Sequence, residues 1–234
     1  MKNIKRFFYK LHYTLIFIFI SSFAFGQKHL IGMQGGLNFT NFTSEVVFEN
    51  TTIRTGFVGG ITYDLMLNES YRIGVDVFYS QQGARDIFIV MNEQGEYVRD
   101  MDIKMYYDYL SVPVKIGYEL GDKIRFIPKL GVVPAFAIKT EITAPAFNEN
   151  RIVTGEVTLD HINYVSKFDT GGIAEIGMET DVSKNIVFCS NLNYKRSLTT
   201  FSNSNYNEGA HMRHYGFSIT AGIKYRLNDI NTHR

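Results

Sequence analysis

Residues 214–227, HYGFSITAGIKYRL, alternate without a break. Tyr215, Phe217, Ile219, Ala221, Ile223, Tyr225 and Leu227 form one set, and His214, Gly216, Ser218, Thr220, Gly222, Lys224 and Arg226 the other. A period of two puts successive side chains on opposite faces of a β-strand. Such a strand must hide its apolar face. It can do so in a protein core or in a membrane, and the rest of the chain decides between them.

The pattern recurs from residue 28 onward. Segments begin at His29, about Thr55, Tyr71, about Met105, Lys123, about Phe168 and Ile186, and residues 214–227 complete a set of eight. The fourth is read as one strand from Met105 to Leu120. Connections alternate in length. NES at 68–70, GD at 121–122 and SK at 183–184 are tight hairpin turns. The other connections, about 40–54, 86–104, 141–166 and 198–212, are long. Antiparallel neighbours place all short turns at one end and all long loops at the other. The expected fold is therefore all-β: an eight-stranded antiparallel up-and-down transmembrane β-barrel with short periplasmic turns and long extracellular loops.

Three features favour an apolar exterior over an apolar core. The polar phase carries Asp64, Arg72, Asp76, Lys115, Glu119, Arg125, Lys129, Glu175, Glu179, Lys195, Lys224 and Arg226, both signs in one lumen, where they can pair as a structural network. Glycine recurs on that same phase, at Gly74, Gly117 and Gly177 among others, as a crowded interior requires. Tyr63, Tyr71, Tyr79, Tyr118, Tyr194, Tyr215 and Tyr225 lie near strand ends on the apolar phase, as an aromatic girdle at the headgroups does. Hydrocarbon tolerates no open sheet edge, so the last strand must close on the first. A barrel of this size has room inside for side chains only, which disfavours general solute diffusion.

The N-terminus reads as a targeting segment. MKNIKRFFYKLHY has basic and no acidic residues, TLIFIFISSFAF is apolar but short of a spanning helix, and Ala24-Phe25-Gly26 is a small-x-small site. Residues 1–26 are expected to be a cleaved secretory signal peptide and 27–234 the barrel domain. Loss of Lys2, Lys5, Arg6 and Lys10 changes the formal charge from +1 to −3 (1 − 4), which gives no reason to expect nucleic acid as a partner. The single cysteine, Cys189, excludes a disulfide framework within the chain and is read as a small buried residue.

YRIGVDVFYSQQGAR and YDYLSVPVKIGYEL, with IRFIPKLGVVPAFAIK after them, resemble the PorT-like outer-membrane β-barrel family of Bacteroidota. The matching residues are Tyr79, Ser80, Gln81, Gly83 and Ala84, then Tyr109, Leu110, Val112, Pro113 and Lys115. The resemblance covers about residues 28–227. It implies an eight-stranded barrel in the bacterial outer membrane and, through the family's namesake, a role in type IX protein secretion. Outer-membrane barrels commonly end on an aromatic residue that directs insertion; here LNDINTHR (227–234) follows Tyr225, so the signal is internal or the tail is a periplasmic extension.

Candidate chemistry is sparse. His211 and His214, three apart, fall on opposite faces of a strand and serve a metal poorly. Asp160, His161 and Ser166 share the longest loop, but nothing in the sequence aligns them or supplies an oxyanion site. No catalytic, cofactor or metal site is assigned. The expected role is structural or interaction-based, assisting secretion or envelope assembly. The expected partners are outer-membrane lipid and lipopolysaccharide, with secretion or envelope proteins. A lipid-acting enzyme and a narrow pore are the alternatives.

Overall fold

A computed structural model describes residues 28–44, 51–92, 94–149, 152–205 and 210–227. The expected signal peptide and the tail beyond Leu227 lie outside them.

The strands are β1 (His29–Ser44), β2 (Thr52–Met66), β3 (Tyr71–Met91), β4 (Tyr97–Ser111), β5 (Val114–Tyr118), β6 (Ile124–Phe147), β7 (Val153–Asp160), β8 (Phe168–Asp181), β9 (Ile186–Ser197) and β10 (Met212–Leu227). They form one antiparallel sheet that closes on itself. β1 pairs with β2 on one side and β10 on the other, from His29↔Leu227 to Ser44↔Met212. The ring continues β10-β9-β8-β6, then β4 with β5, then β3 and back to β2.

Ten strands thus make an eight-stranded wall. Two departures from the sequence reading account for the difference. The fourth wall strand is broken at Val112-Pro113 into β4 and β5, because proline has no N–H to give to the ladder. Its carbonyl still accepts from the Asp76 N–H at 3.0 Å, and Val112 N–H donates to the Pro134 carbonyl at 2.8 Å, so the wall stays sealed. β7 lies outside the ring and pairs with β6 alone.

The turn end is as expected. Asn68 accepts the Ser70 and Tyr71 N–H groups through its side chain. Gly121, at φ +92°, takes the left-handed turn between β5 and β6. At the other end β3 and β4 continue as a hairpin through Asn92–Glu96, closed by Gly95 at φ +79°. The first long connection is shorter than expected, since β1 runs to Ser44 and β2 starts at Thr52.

The apolar phase faces outward: Met33 is 70% exposed and Leu130 66%, while Asp64 and Lys224 on the other phase are at 0% and 1%. Tyr215 and Tyr225 are ten positions apart on β10. At about 3.3 Å per residue and a tilt near 40°, they mark a belt about 25 Å tall, the height of an outer-membrane hydrocarbon band. Cys189 is fully buried on the inward phase.

Candidate functional site

The lumen is filled at two levels. The lower level, toward the turn end, is ionic. Asp64 accepts from Lys129 Nζ at 3.0 Å and Lys224 Nζ at 2.5 Å, with Arg72 at 3.8 Å. Glu179 is held by Arg72 at 3.0 Å and Lys224 at 2.7 Å. Lys115 joins Asp76 and Glu175, each at 2.6 Å, and Lys129 reaches Glu175 at 3.2 Å. Glu119 bonds Arg72 and lies 3.3 Å from Arg125 Nε. Acids Asp64, Asp76, Glu119, Glu175 and Glu179 balance bases Arg72, Lys115, Arg125, Lys129 and Lys224. Strong Coulomb attraction inside a low-dielectric wall repays desolvation only when each charge is answered in this way. Gly74 makes room for the network: a Cβ there would sit 2.8 Å from Asp64 Oδ1.

Two of the residues that sequence places in the lumen stand apart. Arg226 is at the rim, bonded to Asp181 at 2.9 Å and to the Lys184 carbonyl. Lys195 faces inward opposite Ile173, one step above the level of Glu175↔Asn193, and makes no ion pair among the described residues. Its ammonium lies 5.7 Å from the centre of the Tyr109 ring. Asp181, which also takes Arg125 at 2.7 Å, was outside the sequence-derived set.

The upper level is aromatic. Phe42, Met105, Tyr107, Tyr109, Phe201 and Met212 form a buried cluster. His214 stacks on Phe201 with centroids 3.9 Å apart and meets the Tyr109 hydroxyl at 3.3 Å. Phe201 follows β9 and lies over the mouth: its N–H donates to the Met212 carbonyl, and its carbonyl accepts from the Ser166 N–H. Between the two levels lies a cavity of about 50 Å³ lined by Asn38, Ser80, Asn193 and Lys195 among others. Sequence reasoning missed the plug. The signal was there: Phe42, Met105, Tyr107 and Met212 are apolar residues on the inward phase.

Above the mouth, β3, β4, β6 and β7 continue as a projecting sheet. Here the alternation of β4, β6 and β7 inverts. Their outward residues are Asp100, Asp102 and Lys104, Glu141 and Thr143, and Glu156 and Thr158. Lys104 pairs with Glu156 at 3.7 Å, and the Thr143 and Thr158 hydroxyls bond at 2.9 Å. The lumen side carries Met101 and Ile103, Ile142 and Ala144, Val157 and Leu159. Ile103 and Ile142 pack on the plug, whereas Phe88, Phe147 and Leu159 remain 40%, 46% and 54% exposed. Phe88 and Phe147 meet edge to face at 5.9 Å. The outer edge of β7 pairs with no strand among the described residues, so its outward backbone groups are open.

The loop residues considered for chemistry are each engaged locally. Asp160 accepts from the Ile162 N–H, the His161 ring stacks on Tyr164, and Ser166 donates to the Phe168 carbonyl. Burial holds the His161 imidazole below its ordinary range, against the opposing pull of Asp160. His214 is buried and His211 exposed, on opposite sides of the strand start. No cluster of three or more metal-ligating residues occurs among the described residues.

Residues 14–224 match the family model described as outer membrane protein beta-barrel domain. Among solved structures, a major outer membrane protein from Thermus thermophilus is similar at 11% identity, with a TM-score of 0.52, over 87% of this chain and 100% of that one. OprG from Pseudomonas aeruginosa is similar at 11% identity and TM-score 0.44, over 87% and 96% of the two chains. Neisserial surface protein A is similar at 13% identity and TM-score 0.44, over 87% and 100%. At such identities the likeness concerns the fold alone. No curated protein matches the sequence.

Proposed function

The chain belongs to the outer membrane protein beta-barrel domain family, and from that premise we propose that it is a docking protein of the outer membrane rather than a conduit or an enzyme. Its working surface is the projecting sheet. The observation that carries this reading is the inverted alternation above the mouth, which leaves an apolar face exposed beside the open edge of β7. Water-exposed apolar surface next to unpaired strand backbone suits an extended polypeptide, which adds main-chain hydrogen bonds to side-chain burial. Glu156 and Asp160 on the outward phase of β7 favour a partner strand with basic residues on that face and apolar residues on the other.

At the finer level, the PorT-like motifs support a place among Bacteroidota envelope proteins, with a secretion or envelope-assembly component as the partner. The cleaved signal peptide belongs to the same reading. The local engagement of Asp160, His161 and Ser166 supports the non-catalytic part.

A photo-crosslinking residue at Leu159, in intact cells, tests it. A discrete protein adduct that disappears when the β6–β7 hairpin is shortened is expected. Adducts to lipid alone, or none, would refute the docking role.

A further inference from the structure

The wall formed by β9 and β10 carries a feature that neither the lumen nor the projecting sheet uses. Going up from the turn end, the outward phase of β9 runs Ile186, Phe188, Ser190, Leu192 and Tyr194, and that of β10 runs from Leu227 through Ile219 to Phe217 and Tyr215. Tyr194 and Phe217 pack at 5.0 Å. The next outward residues are Arg196 and Arg213. Arg196 lies opposite Tyr215 in the β9–β10 register, and Arg213 is one outward step further along β10. The two are diagonal neighbours on one face, about 7–8 Å apart at the backbone, a span that two long side chains can bridge.

Both arginines are exposed, while their inward neighbours Ser197, Met212 and His214 are buried, so the backbone commits the guanidinium groups to the outside. No ion pair or hydrogen bond engages either side chain among the described residues. On the β8 side the partner of Arg196 is Gly172, where a side chain would meet nothing within 4 Å. A gap therefore opens beside the guanidinium, above an aromatic shelf.

Several other basic groups are answered by acids. At the same rim Lys139 is taken by Glu141 at 2.8 Å and Lys104 by Glu156 at 3.7 Å. At the turn end the outward residues past Tyr63 and Tyr225 are Leu65 and Leu227, and Arg125 and Arg226 are spent on Asp181. Arg196 and Arg213 lie on the long-loop side, at the depth where headgroups begin.

We propose that Arg196 and Arg213 clamp the phosphate of an outer-leaflet lipid. Each planar guanidinium offers two parallel N–H donors to phosphate oxygens, and an anion between them removes the repulsion of two neighbouring cations. The lipid's apolar part would continue down the wall over Tyr194 and Phe217. The inference depends on the long loops facing the cell exterior, as in the proposed function, but not on the sheet binding a protein.

The full-length protein is reconstituted in phosphatidylcholine nanodiscs with diphosphorylated lipid A or its dephosphorylated form, and retained lipid is counted by native mass spectrometry. The wild type should retain the phosphorylated form at least about tenfold better, as expected for charge-assisted hydrogen bonds. Arg196→Ala with Arg213→Ala should abolish that preference, Arg196→Lys with Arg213→Lys should keep part of it, and Lys123→Ala with Lys184→Ala at the turns should leave it intact. Heat-modifiable gel mobility identifies any variant that has not folded, and the lysine pair then decides. Equal retention of both lipids, or an unaltered preference in the alanine pair, overturns the clamp. So does full displacement by inorganic phosphate, which would make the site one for the free anion. The Leu159 crosslink reads out the protein-docking surface separately, so either proposal can fail alone.

Discussion

Asp64 has no exposed surface and three cations around it, whereas the half-buried Lys195 carries a buried ammonium with no acid in contact among the described residues. The two sites predict opposite mutational behaviour. Asp64→Ala leaves Lys129, Lys224 and Arg72 with one carboxylate too few among them, and a buried charge left uncompensated costs about 3–5 kcal/mol. Lys195→Met removes a charge that no carboxylate contacts among the described residues and keeps most of the volume. It should cost no more than about 1 kcal/mol, or stabilise. Urea unfolding in lipid vesicles, followed by tyrosine fluorescence, measures both. A loss at Lys195 as large as that at Asp64 would mean that the ammonium group has a strong structural partner. The inward direction of both residues could be read from alternation, because a period of two fixes the face. Their height on the wall could not, because height depends on inter-strand register. Glu175 lies opposite Asn193 and not Lys195, a stagger that no single strand encodes.

Among the elements, the parts most legible in sequence were those governed by local chemistry. NES, GD and SK turn where they should. What stayed hidden was the level at which a strand leaves the membrane. β6 runs from Ile124 to Phe147 with its even-numbered residues apolar at both ends, so its sequence does not mark the exit; the register shift that leaves Ile138 extra in the β4–β6 ladder swaps the two faces. Ile138 is the last outward apolar residue on that strand; Lys139, Glu141 and Thr143 follow after the irregularity at Asp108/Tyr109. Pro113 shows the reverse case: a breaker plainly visible in sequence, absorbed by neighbouring carbonyl and N–H groups so that only the strand count changes. The hairpin above the exit should be dispensable to the barrel, since β7 pairs with β6 alone. Replacing residues 144–157 by Asn-Gly joins Thr143 to Thr158, an existing pair, through a two-residue turn. Heat-modifiable mobility should still show a folded barrel melting within a few degrees of the parent, and the Leu159 crosslink should vanish. A barrel that failed to form would make the hairpin part of the folding unit.

For the molecule as a whole, the decisive property is that the lumen is obstructed twice, by unrelated chemistry. Phe42, Tyr107, Phe201 and His214 close the upper end through ring packing, and the Asp64–Lys224–Glu179–Arg72 lattice closes the lower end through ion pairs. A basin of about 1040 Å³ opens to the turn side, but its floor is Arg72, Glu119, Arg125 and Glu179. In planar bilayers the protein should therefore give no stepwise conductance. Phe201→Ala should remain silent too, because the ionic level beneath it is intact. High salt should not open the lower level, as contacts this deeply buried are little screened. Conductance ought to emerge only when a plug substitution is combined with loss of the lower lattice, for example Phe201→Ala with Arg72→Ala. Steps from the unaltered protein would show that one obstruction moves, and would favour a narrow pore over a docking role. Silence in Phe201→Ala and in Arg72→Ala alone, with current in the combined variant, would show that each level obstructs the lumen by itself, as a barrel that holds a surface rather than passes a solute requires.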